Sequence, residues 1–316
     1  FFERAESTGR KIAVVGGGPA GLSCAHRLAV LGHEVVIFEA REKLSGLNEY
    51  GIAPYKTVDN FAQREVDFIL KIGGIETRMN QKLGKDIKLD DLRHQFDAVF
   101  LSVGLGSVNS LSFKIGQIDG VYDAIEKISD LRQSVNLSEL PVGRRVVVIG
   151  GGSTAIDVAV QSKKLGAEDV TLAYRRGPEQ MSATWKEQEF AQTNGVQVKY
   201  WLSPKSLKTD NGHVSEIEFE ITKLNEKGIL CETGEIRKIE VDIVFKAIGQ
   251  KLDNNLESPS SMPSTKAGKI EVNSAYETSV EGVWAGGDCI SSGEDLTVQA
   301  VEDGKQAAIA IHNKLI

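Results

Sequence analysis

A glycine-rich segment near the start of the chain has the spacing that a dinucleotide pyrophosphate requires. It runs from Gly16 to Gly21 (GGGPAG), after the apolar segment KIAVV and before the helical segment LSCAHRLAVLG. Gly16 permits the tight turn, Gly18 lets the backbone approach the phosphates, and Gly21 lets the helix pack closely on the strand. The positive end of the helix then points at the phosphates. This order of strand, turn and helix predicts an adenine dinucleotide site.

The strand that follows this helix ends in an acidic residue. The segment HEVVIFEA has the pattern of a second parallel strand, and it ends in Glu39 and Ala40. A carboxylate at this place can accept hydrogen bonds from both hydroxyls of an adenosine ribose. The first site is therefore predicted to bind a nucleotide that carries no 2'-phosphate on that ribose.

A second copy of the pattern begins at Arg145. RVVVIG is a strand, residues 150–155 (GGGSTA) are the turn, and IDVAVQSKKLG is the helix. After the next strand, Tyr174 stands where Glu39 stood, and Arg175 and Arg176 follow it. Adjacent guanidinium groups form charge-assisted, often bidentate bonds to a phosphate. The second site is predicted to prefer NADP(H), although arginines at strand ends are common and NAD(H) remains an alternative.

The elements between these motifs predict the fold class. One glycine pattern alone often marks only a tight turn, but two copies in the correct context predict an α/β protein with two Rossmann-like, doubly wound, three-layer domains, one inserted in the other. A helix is expected around residues 58–73, a small antiparallel sheet within residues 177–240, and a loop at LDNNLESPSSMPSTKAGK. The predicted domains are 1–110 and 266–316 for the first cofactor, and 111–265 for the second. Two buried strands, FDAVFLSVGLG and VDIVFKAIGQ, end in glycine turns where the chain is expected to cross between domains close to the cofactors.

A third glycine turn precedes the last helix. The strand GVWAGG ends in Gly286 and Gly287, and Asp288 follows directly. Such a carboxylate can accept hydrogen bonds from the hydroxyls of a flavin ribityl chain, although it can also cap the turn. The helix that follows starts near Thr297 and Val298, and its positive end can face the flavin pyrimidine as negative charge develops there. These features predict FAD as the first cofactor.

Composition excludes several classes of function. The chain has 316 residues, a formal net charge of −7 and a pI of about 5.4, which argues against binding to nucleic acid or to an anionic membrane surface. No signal peptide and no span of about 18 apolar residues is found, so a cytoplasmic location is expected. The three cysteines, Cys24, Cys231 and Cys289, form no C-x-x-C pair, are each expected to be buried, and are too few for a [4Fe-4S] cluster. No metal site is predicted, and the initial Phe1 suggests a fragment.

Several segments together resemble one family. GGGPAGLSCAHRLAVLGHEVVIFEA, VVVIGGGSTAID, YRRGPEQMSA and VWAGGDCISSGEDLTVQAVEDGKQAA resemble the FAD/NAD(P)H module shared by glutamate synthase small subunits and dihydropyrimidine dehydrogenases, over almost the whole chain. The segment GLNEYGIAPYKTVDNFAQREVDFIL and the tail GEDLTVQAVEDGKQAAIAIH are most similar to the small subunit of bacterial dihydropyrimidine dehydrogenase. The glutamate synthase small subunit is the alternative.

The motifs and the resemblance together assign residues to each cofactor. Those assigned to FAD are Gly16, Gly17, Gly18, Pro19, Ala20, Gly21, Glu39, Ala40, Arg41, Gly46, Leu47, Lys56, Leu83, Gly104, Gly287, Asp288, Thr297 and Val298. Those assigned to NADPH are Gly150, Gly151, Gly152, Ser153, Thr154, Arg175, Arg176, Ala247, Ile248 and Gly249. Two positions depart from the animal dihydropyrimidine dehydrogenases. Lys56 replaces an arginine on FAD, and Ser182 replaces an arginine on the NADP phosphate, which leaves the phosphate to the Arg175 and Arg176 pair.

The resemblance also implies a mechanism and partners. A hydride is expected to pass from NADPH to FAD, with single electrons then going to iron-sulfur clusters outside this chain. The implied partners are an iron-sulfur domain and a catalytic flavin subunit that reduces uracil or thymine, or, in the alternative, the glutamate synthase large subunit. The chemistry belongs to the cofactors, so no catalytic acid or base is predicted. The absence of C-x-x-C argues against a disulfide reductase, while a non-catalytic dinucleotide-binding protein remains a second alternative.

Overall fold

The computed structural model describes residues 2–111, 113, 118–253, 256 and 262–316, and it divides the chain into two compact units. The first unit comprises Phe1–Glu49, Thr57–Ser107 and Gln250–Ile316, and the second comprises Tyr50–Lys56 and Val108–Gly249. The chain thus leaves the first unit twice, once for only seven residues. The assignment of FAD to one set of segments and NADPH to the other stays a prediction.

The helices and strands alternate along most of the chain. The helices are α1 (Pro19–Val30), α2 (Leu47–Tyr50), α3 (Phe61–Leu70), α4 (Leu89–Gln95), α5 (Ala124–Gln133), α6 (Ser153–Lys164), α7 (Trp185–Thr193) and α8 (Thr297–Leu315), with short 3-10 turns at Leu137–Glu139 and Pro178–Gln180. The strands are β1 (Lys11–Val15), β2 (Glu34–Phe38), β3 (Ile75–Arg78), β4 (Ala98–Leu101), β5 (Ser107–Val108), β6 (Val121–Asp123), β7 (Arg145–Gly150), β8 (Asp169–Ala173), β9 (Gln197–Lys199), β10 (Leu202–Asp210), β11 (His213–Leu224), β12 (Leu230–Glu240), β13 (Ile243–Ala247), β14 (Gln250–Lys251), β15 (Thr265–Lys266), β16 (Lys269–Ile270) and β17 (Val283–Ala285).

The first unit is built on a parallel five-stranded sheet. Its strand order is β17-β4-β1-β2-β3, and the four residues after Lys11 in β1 are all buried. The strand order reverses at β1, which has β2 on one side and β4 on the other. Ligands of open parallel sheets bind outside the carboxyl ends of the strands at such a reversal. The first glycine turn follows β1 directly, so it lies at this place.

The second unit repeats this arrangement. Its parallel sheet has the order β6-β13-β7-β8-β9, with the reversal at β7, directly before the second glycine turn. The predicted antiparallel sheet is present as β10-β11-β12. The α/β fold with two Rossmann-like units is therefore confirmed. The helix predicted around residues 58–73 is the shorter α3.

Two helices of the first unit pack without room for a side chain between them. A Cβ added at Gly304 of α8 would lie 2.1 Å from the carbonyl oxygen of Ala20 in α1. A Cβ added at Gly21 would lie 1.9 Å from the carbonyl oxygen of Gly16. These two glycines let α1 lie close to both the turn and α8, as the spacing of the first motif predicts for Gly21.

The remaining expectations concern a loop and the cysteines. The loop predicted at LDNNLESPSSMPSTKAGK contains β15, while its residues 254–255 and 257–261 lie outside the described residues. Cys24 and Cys289 are buried as predicted, but Cys231 is half-exposed because it lies on β12, an outer strand of the antiparallel sheet. Within the described ranges, no helix has the length and apolar character needed to cross a membrane.

Candidate functional site

The first glycine turn is closed by the buried carboxylate of Glu39. The backbone N–H of Gly17 donates to Glu39 Oε2 at 2.7 Å, and that of Arg41 donates to Oε1 at 2.9 Å. Burial raises the pKa of Glu39, while the bonds from Gly17 and Arg41 oppose that shift by favouring the ionised form. Each oxygen keeps a lone pair for a further donor, such as a ribose hydroxyl.

The turn itself is shaped for a close approach. Gly16 has a φ of +103°, and a Cβ there would lie 2.3 Å from the carbonyl oxygen of Ser102. Gly18 is the N-cap of α1, and no side chain among the residues that the structure describes caps this helix. The free N–H groups of the first helical turn are thus left for an anion. Pro19 and Ala20, which the sequence assigned to the turn, are instead the first residues of that helix.

The loop after Glu39 returns to the turn. The N–H of Ser45 donates to the carbonyl oxygen of Gly17 at 2.7 Å, and a Cβ added at Gly46 would lie 2.9 Å from Gly18 Cα. Ser45 Oγ is buried and has no hydrogen-bond partner among the described residues. An orphaned hydroxyl of this kind calls for a ligand or a water. Sequence reasoning missed Ser45 as an individual residue.

Two further predicted segments lie close to Glu39 or to the end of β4. The N–H of Gln81 donates to the carbonyl oxygen of Glu39 at 2.8 Å, and the buried Leu83 follows two residues later. Gly104 has a φ of +62°, and a Cβ added there would meet no atom within 4 Å. The predicted stretch after β2 also contains Ala40 and Arg41, which are exposed, and Leu47, which is half-buried.

The third glycine turn lies against the same helix. A Cβ added at Gly287 would come within 2.9 Å of the Ala20 side chain. Asp288 is half-buried, and burial followed by the charge of Asp295 raises the pKa of its carboxyl. Thr297, the first residue of α8, donates to the side chain of Asn48 at 3.2 Å, so the start of α8 contacts the short helix α2. Val298 is 75% exposed.

A buried carboxylate that the sequence did not reveal supports the third turn. Asp303 is 2% exposed, and its Oδ2 accepts the N–H of Gly287 at 3.1 Å. Its Oδ1 accepts from Gln299 Nε2 at 2.7 Å and from the Tyr276 hydroxyl at 3.2 Å. The sequence gives no local signal that separates the buried Asp303 from its exposed neighbour Glu302.

The second glycine turn is also tightly enclosed. Gly150 has a φ of +150°, and a Cβ there would lie 2.2 Å from the carbonyl oxygen of Ala247. The ring of Tyr174 lies against Gly151, where a Cβ would come within 2.5 Å of it. Gly152 is the N-cap of α6, and no side chain of the described residues caps that helix, which begins with Ser153 and Thr154, so the backbone N–H groups of its first turn can receive an anion.

The residues predicted to bind NADPH also include the segment after β13 and the arginine pair. The side chain and the N–H of Asn109 donate to the carbonyl oxygens of Ile248 and Gly249, at 3.2 and 3.0 Å. The side chain of Arg175 is exposed and that of Arg176 half-exposed. In the part of the chain that the structure describes, neither guanidinium has an ion pair or hydrogen bond. Both are thus available to an anionic ligand.

Ser182 lies beside the second turn. Its hydroxyl donates to the carbonyl oxygen of Gly151 at 3.3 Å, and the N–H of Ala183 donates to the same oxygen at 2.9 Å. Ser182, predicted to stand where the animal dihydropyrimidine dehydrogenases have an arginine, thus helps to hold the turn. The assignment of a 2'-phosphate to Arg175 and Arg176 stays a prediction.

Lys56 lies in the second unit, and its amine is occupied. Its Nζ is 2.8 Å from Asp157 Oδ1 and 3.0 Å from Glu187 Oε1, while the Tyr55 hydroxyl donates to the same Asp157 oxygen at 2.7 Å. These contacts fix the Tyr50–Lys56 segment to α6 and α7. The assignment of Lys56 to FAD therefore stays a prediction, and sequence reasoning missed its two carboxylate partners.

Comparisons with known proteins agree with this geometry. The family model described as pyridine nucleotide-disulphide oxidoreductase matches residues 10–304. The small chain of NADPH glutamate synthase from Escherichia coli K12 is 34% identical, over 98% of this chain and 70% of that protein. The beta subunit of the NADP(+)-dependent formate dehydrogenase of Moorella thermoacetica is 33% identical, over 98% of this chain but only 45% of that subunit.

A solved structure confirms the fold. Mycobacterium tuberculosis FprA in complex with NADPH superposes with a TM-score of 0.80 at 18% identity, covering 97% of this chain and 84% of that one.

The predicted resemblance to glutamate synthase small subunits is confirmed by the 34% identity with the E. coli protein. The predicted class of enzyme and its two cofactors, FAD and NADP(H), are confirmed at the level of the family. The chain belongs to the pyridine nucleotide-disulphide oxidoreductase family, whose members are NAD(P)H-dependent flavoprotein oxidoreductases.

Proposed function

We propose that this chain is the electron-input module of a larger enzyme, with FAD on the first unit and NADPH on the second. The proposal rests on the different charged residues that lie beside the two glycine turns. The first turn is closed by a buried carboxylate, Glu39, while the second is followed by the guanidinium groups of Arg175 and Arg176, which have no ion pair with any described residue. A carboxylate favours a ribose with free hydroxyls, and an arginine pair favours one that carries a phosphate.

The residues of the first unit fit FAD. Gly16 and Gly18 leave room for a pyrophosphate at the open start of α1, and Glu39 is the acceptor for ribose hydroxyls. Ser45 contributes a buried hydroxyl that lacks a partner among the residues described. Asp288, beside the turn that Asp303 supports, is the acceptor for ribityl hydroxyls.

The residues of the second unit fit NADPH. The open start of α6 receives the pyrophosphate, and Arg175 and Arg176 receive the 2'-phosphate. Bidentate pairing with a guanidinium is specific for such a group. When both cofactors are bound, NADPH supplies a hydride and FAD converts this two-electron donation into single-electron steps. The protein binds and orients them, and we assign no catalytic acid or base.

The final acceptor lies outside this chain in our proposal. Relatives named as small and beta subunits indicate that such modules act with a partner subunit, and the chain spans about 45% of the formate dehydrogenase subunit. Our first choice is a partner that reduces uracil or thymine, which rests on the sequence resemblance of the tail to dihydropyrimidine dehydrogenase. Glutamate synthesis is the second candidate, and the 34% identity with a glutamate synthase small chain favours it.

Cofactor reduction tests the module itself. The purified chain, reconstituted with FAD under anaerobic conditions, is expected to lose its yellow absorbance on addition of NADPH and to recover it with ferricyanide. FAD binding without bleaching would instead indicate a non-catalytic dinucleotide-binding protein, and failure to bind FAD would overturn the proposal.

The acceptor is tested on the native complex. The assembly isolated with this chain should oxidise NADPH when uracil or thymine is added. Oxidation that depends on 2-oxoglutarate and glutamine, with no response to the pyrimidines, would select the glutamate synthase candidate and reject the first choice.

A further inference from the structure

Three successive carbonyl groups around the arginine pair accept hydrogen bonds from β10, from β11 and from Trp201, the residue that precedes β10. The carbonyl oxygen of Tyr174 accepts the N–H of Leu202 at 2.9 Å. That of Arg175 accepts the hydroxyl of Thr222 at 2.7 Å. That of Arg176 accepts the N–H of Trp201 at 3.2 Å. The backbone of this segment is thus fixed from one side over three consecutive residues.

Thr222 lies where it cannot exchange this bond for one with water. It is 3% exposed on β11, and its own N–H donates to the carbonyl oxygen of Trp201 at 3.0 Å. The Thr222 hydroxyl therefore links β11 to the end of the β8 segment. The bond is part-buried, and a carbonyl that loses its donor there keeps part of its desolvation penalty, so this bond restrains the position of Arg175.

Trp201 adopts a backbone conformation that is unfavourable for a bulky residue. Its φ is +63°, in the left-handed region that costs on the order of 1–3 kcal/mol for residues other than glycine. Its ring lies against Gly177, where a Cβ would come within 2.7 Å of the ring carbon Cζ2. Trp201 thus holds the chain on the far side of Arg176 by both its N–H and its ring. Strain of this kind persists where surrounding contacts enforce it.

The side chains of the two arginines contrast with their backbone. Arg175 is exposed and Arg176 half-exposed, and neither guanidinium has a partner among the described residues. Because the backbone is already fixed, less conformational entropy is lost when an anion binds to these two side chains. This raises the affinity only of a ligand that contacts the two guanidinium groups.

We propose that Thr222 and Trp201 are positioning residues for the 2'-phosphate of NADPH. They hold Arg175 and Arg176 at the site of that phosphate, so that the antiparallel sheet sets the preference for NADPH over NADH. The inference rests on the proposed function, because it assumes that the second unit binds NADPH.

The substitution Thr222→Val tests this inference. Valine keeps the shape and the burial but removes the hydroxyl. We expect the FAD-loaded chain to bind NADP⁺ about five-fold more weakly, the equivalent of ~1 kcal/mol, with binding of NAD⁺ unchanged. Calorimetry with NADP⁺, NAD⁺ and 2'-phospho-AMP measures the three affinities without turnover. Thr222→Ser restores a hydroxyl and should recover the NADP⁺ affinity.

Thr233→Val is the matched control. The Thr233 hydroxyl also donates to a backbone carbonyl of this sheet, that of Ile221 at 2.9 Å, and it has no hydrogen bond to Arg175 or Arg176 among the described residues. The ratio of the NADP⁺ and NAD⁺ affinities should therefore stay at the wild-type value. If the valine variant at position 222 does not fold, Thr222→Ala removes the same hydroxyl and carries the same expectation.

The possible outcomes separate this inference from the proposed function. An unchanged ratio in a folded variant at position 222, or an equal loss for both nucleotides, would overturn the positioning role. A wild-type chain that binds NADP⁺ no better than NAD⁺ would overturn the proposed coenzyme, and this inference with it.

Discussion

Asp303 Oδ2 accepts a hydrogen bond from the backbone N–H of Gly287 at 3.1 Å, in the turn that precedes Asp288. Asp303 is 2% exposed, and α8 carries it beneath that turn. The position of Asp288, the proposed acceptor for the flavin ribityl chain, thus depends on a second carboxylate that does not itself contact the ligand in our proposal.

Removal of this acceptor should weaken FAD binding. In Asp303→Ala the Gly287 N–H loses its partner, at a cost of about 1–3 kcal/mol, and we expect at least a five-fold rise in the FAD dissociation constant. Titration of the apoprotein, followed by the quenching of flavin fluorescence, gives this constant. Asp303→Asn retains an acceptor oxygen and should bind more tightly than the alanine variant. Equal FAD affinity for Asp303→Ala and the wild type would refute the role of Asp303.

FAD affinity should fall in acid because of Glu39. Burial raises the pKa of this carboxyl, and only the ionised form offers both oxygens as acceptors to the ribose. Affinity should be full above the pKa of the free protein and should decline as the pH falls through it. Glu39→Gln should bind FAD about ten-fold more weakly, or ~1.4 kcal/mol, with this pH dependence removed. A glutamine variant that keeps the wild-type pH profile would show that another group is responsible.

Gly304→Ala should destabilise the first unit. The added methyl would meet the backbone oxygen of Ala20 at 2.1 Å, and backbone cannot move aside as a flexible side chain can. We expect the free energy of unfolding to fall by about 1–3 kcal/mol. In a thermal melt, each kcal/mol lowers the melting temperature by about 2–4 °C. Val301→Ala on the same helix, at a position 42% exposed, is the control and should leave the melt almost unchanged. Equal melting temperatures for Gly304→Ala and the wild type would rule out this close packing.

A buried histidine should make the first unit sensitive to acid. His33 is 0% exposed, with its Nδ1 2.8 Å from the Thr8 hydroxyl and its Nε2 2.9 Å from Nδ1 of His312. Burial and then the charge of His312 lower its pKa, while Asp97 opposes and Arg10 adds to that shift. The unfolded chain therefore binds the proton more readily.

This lowered pKa fixes the sign of the pH dependence. The contribution of neutral His33 to stability is full above about pH 6.5 and is lost as the pH falls towards the folded pKa. Urea unfolding between about pH 5 and 8 should show this loss, and His33→Gln should reduce it. If the urea midpoint of the wild type and that of His33→Gln change equally with pH, His33 is excluded as the cause.

The site residues that could be predicted from the sequence lie close to one another along the chain. Gly16 to Gly21 and Glu39 follow from one strand, one turn and the next strand, so their spacing predicts their roles. The partners of Lys56 are different, because Asp157 and Glu187 come from α6 and α7 of the second unit. The return of residues 50–56 to that unit is set by tertiary packing, which no local pattern encodes.

The role of Thr222 was hidden for the same reason. A threonine in an alternating strand predicts only its face, and its bond to Arg175 depends on how β11 lies beside the end of β8. Ser45 and Asp303 likewise became visible only when burial and hydrogen-bond partners were known.

The most direct test of the central proposal compares the two nicotinamide nucleotides as reductants of the FAD-loaded chain. Under anaerobic conditions, NADPH should bleach the flavin at concentrations at least ten-fold lower than NADH. The double variant Arg175→Ala/Arg176→Ala should lose that preference while it retains FAD. Bleaching by neither nucleotide, or an equal response to both in the wild type, would contradict the account.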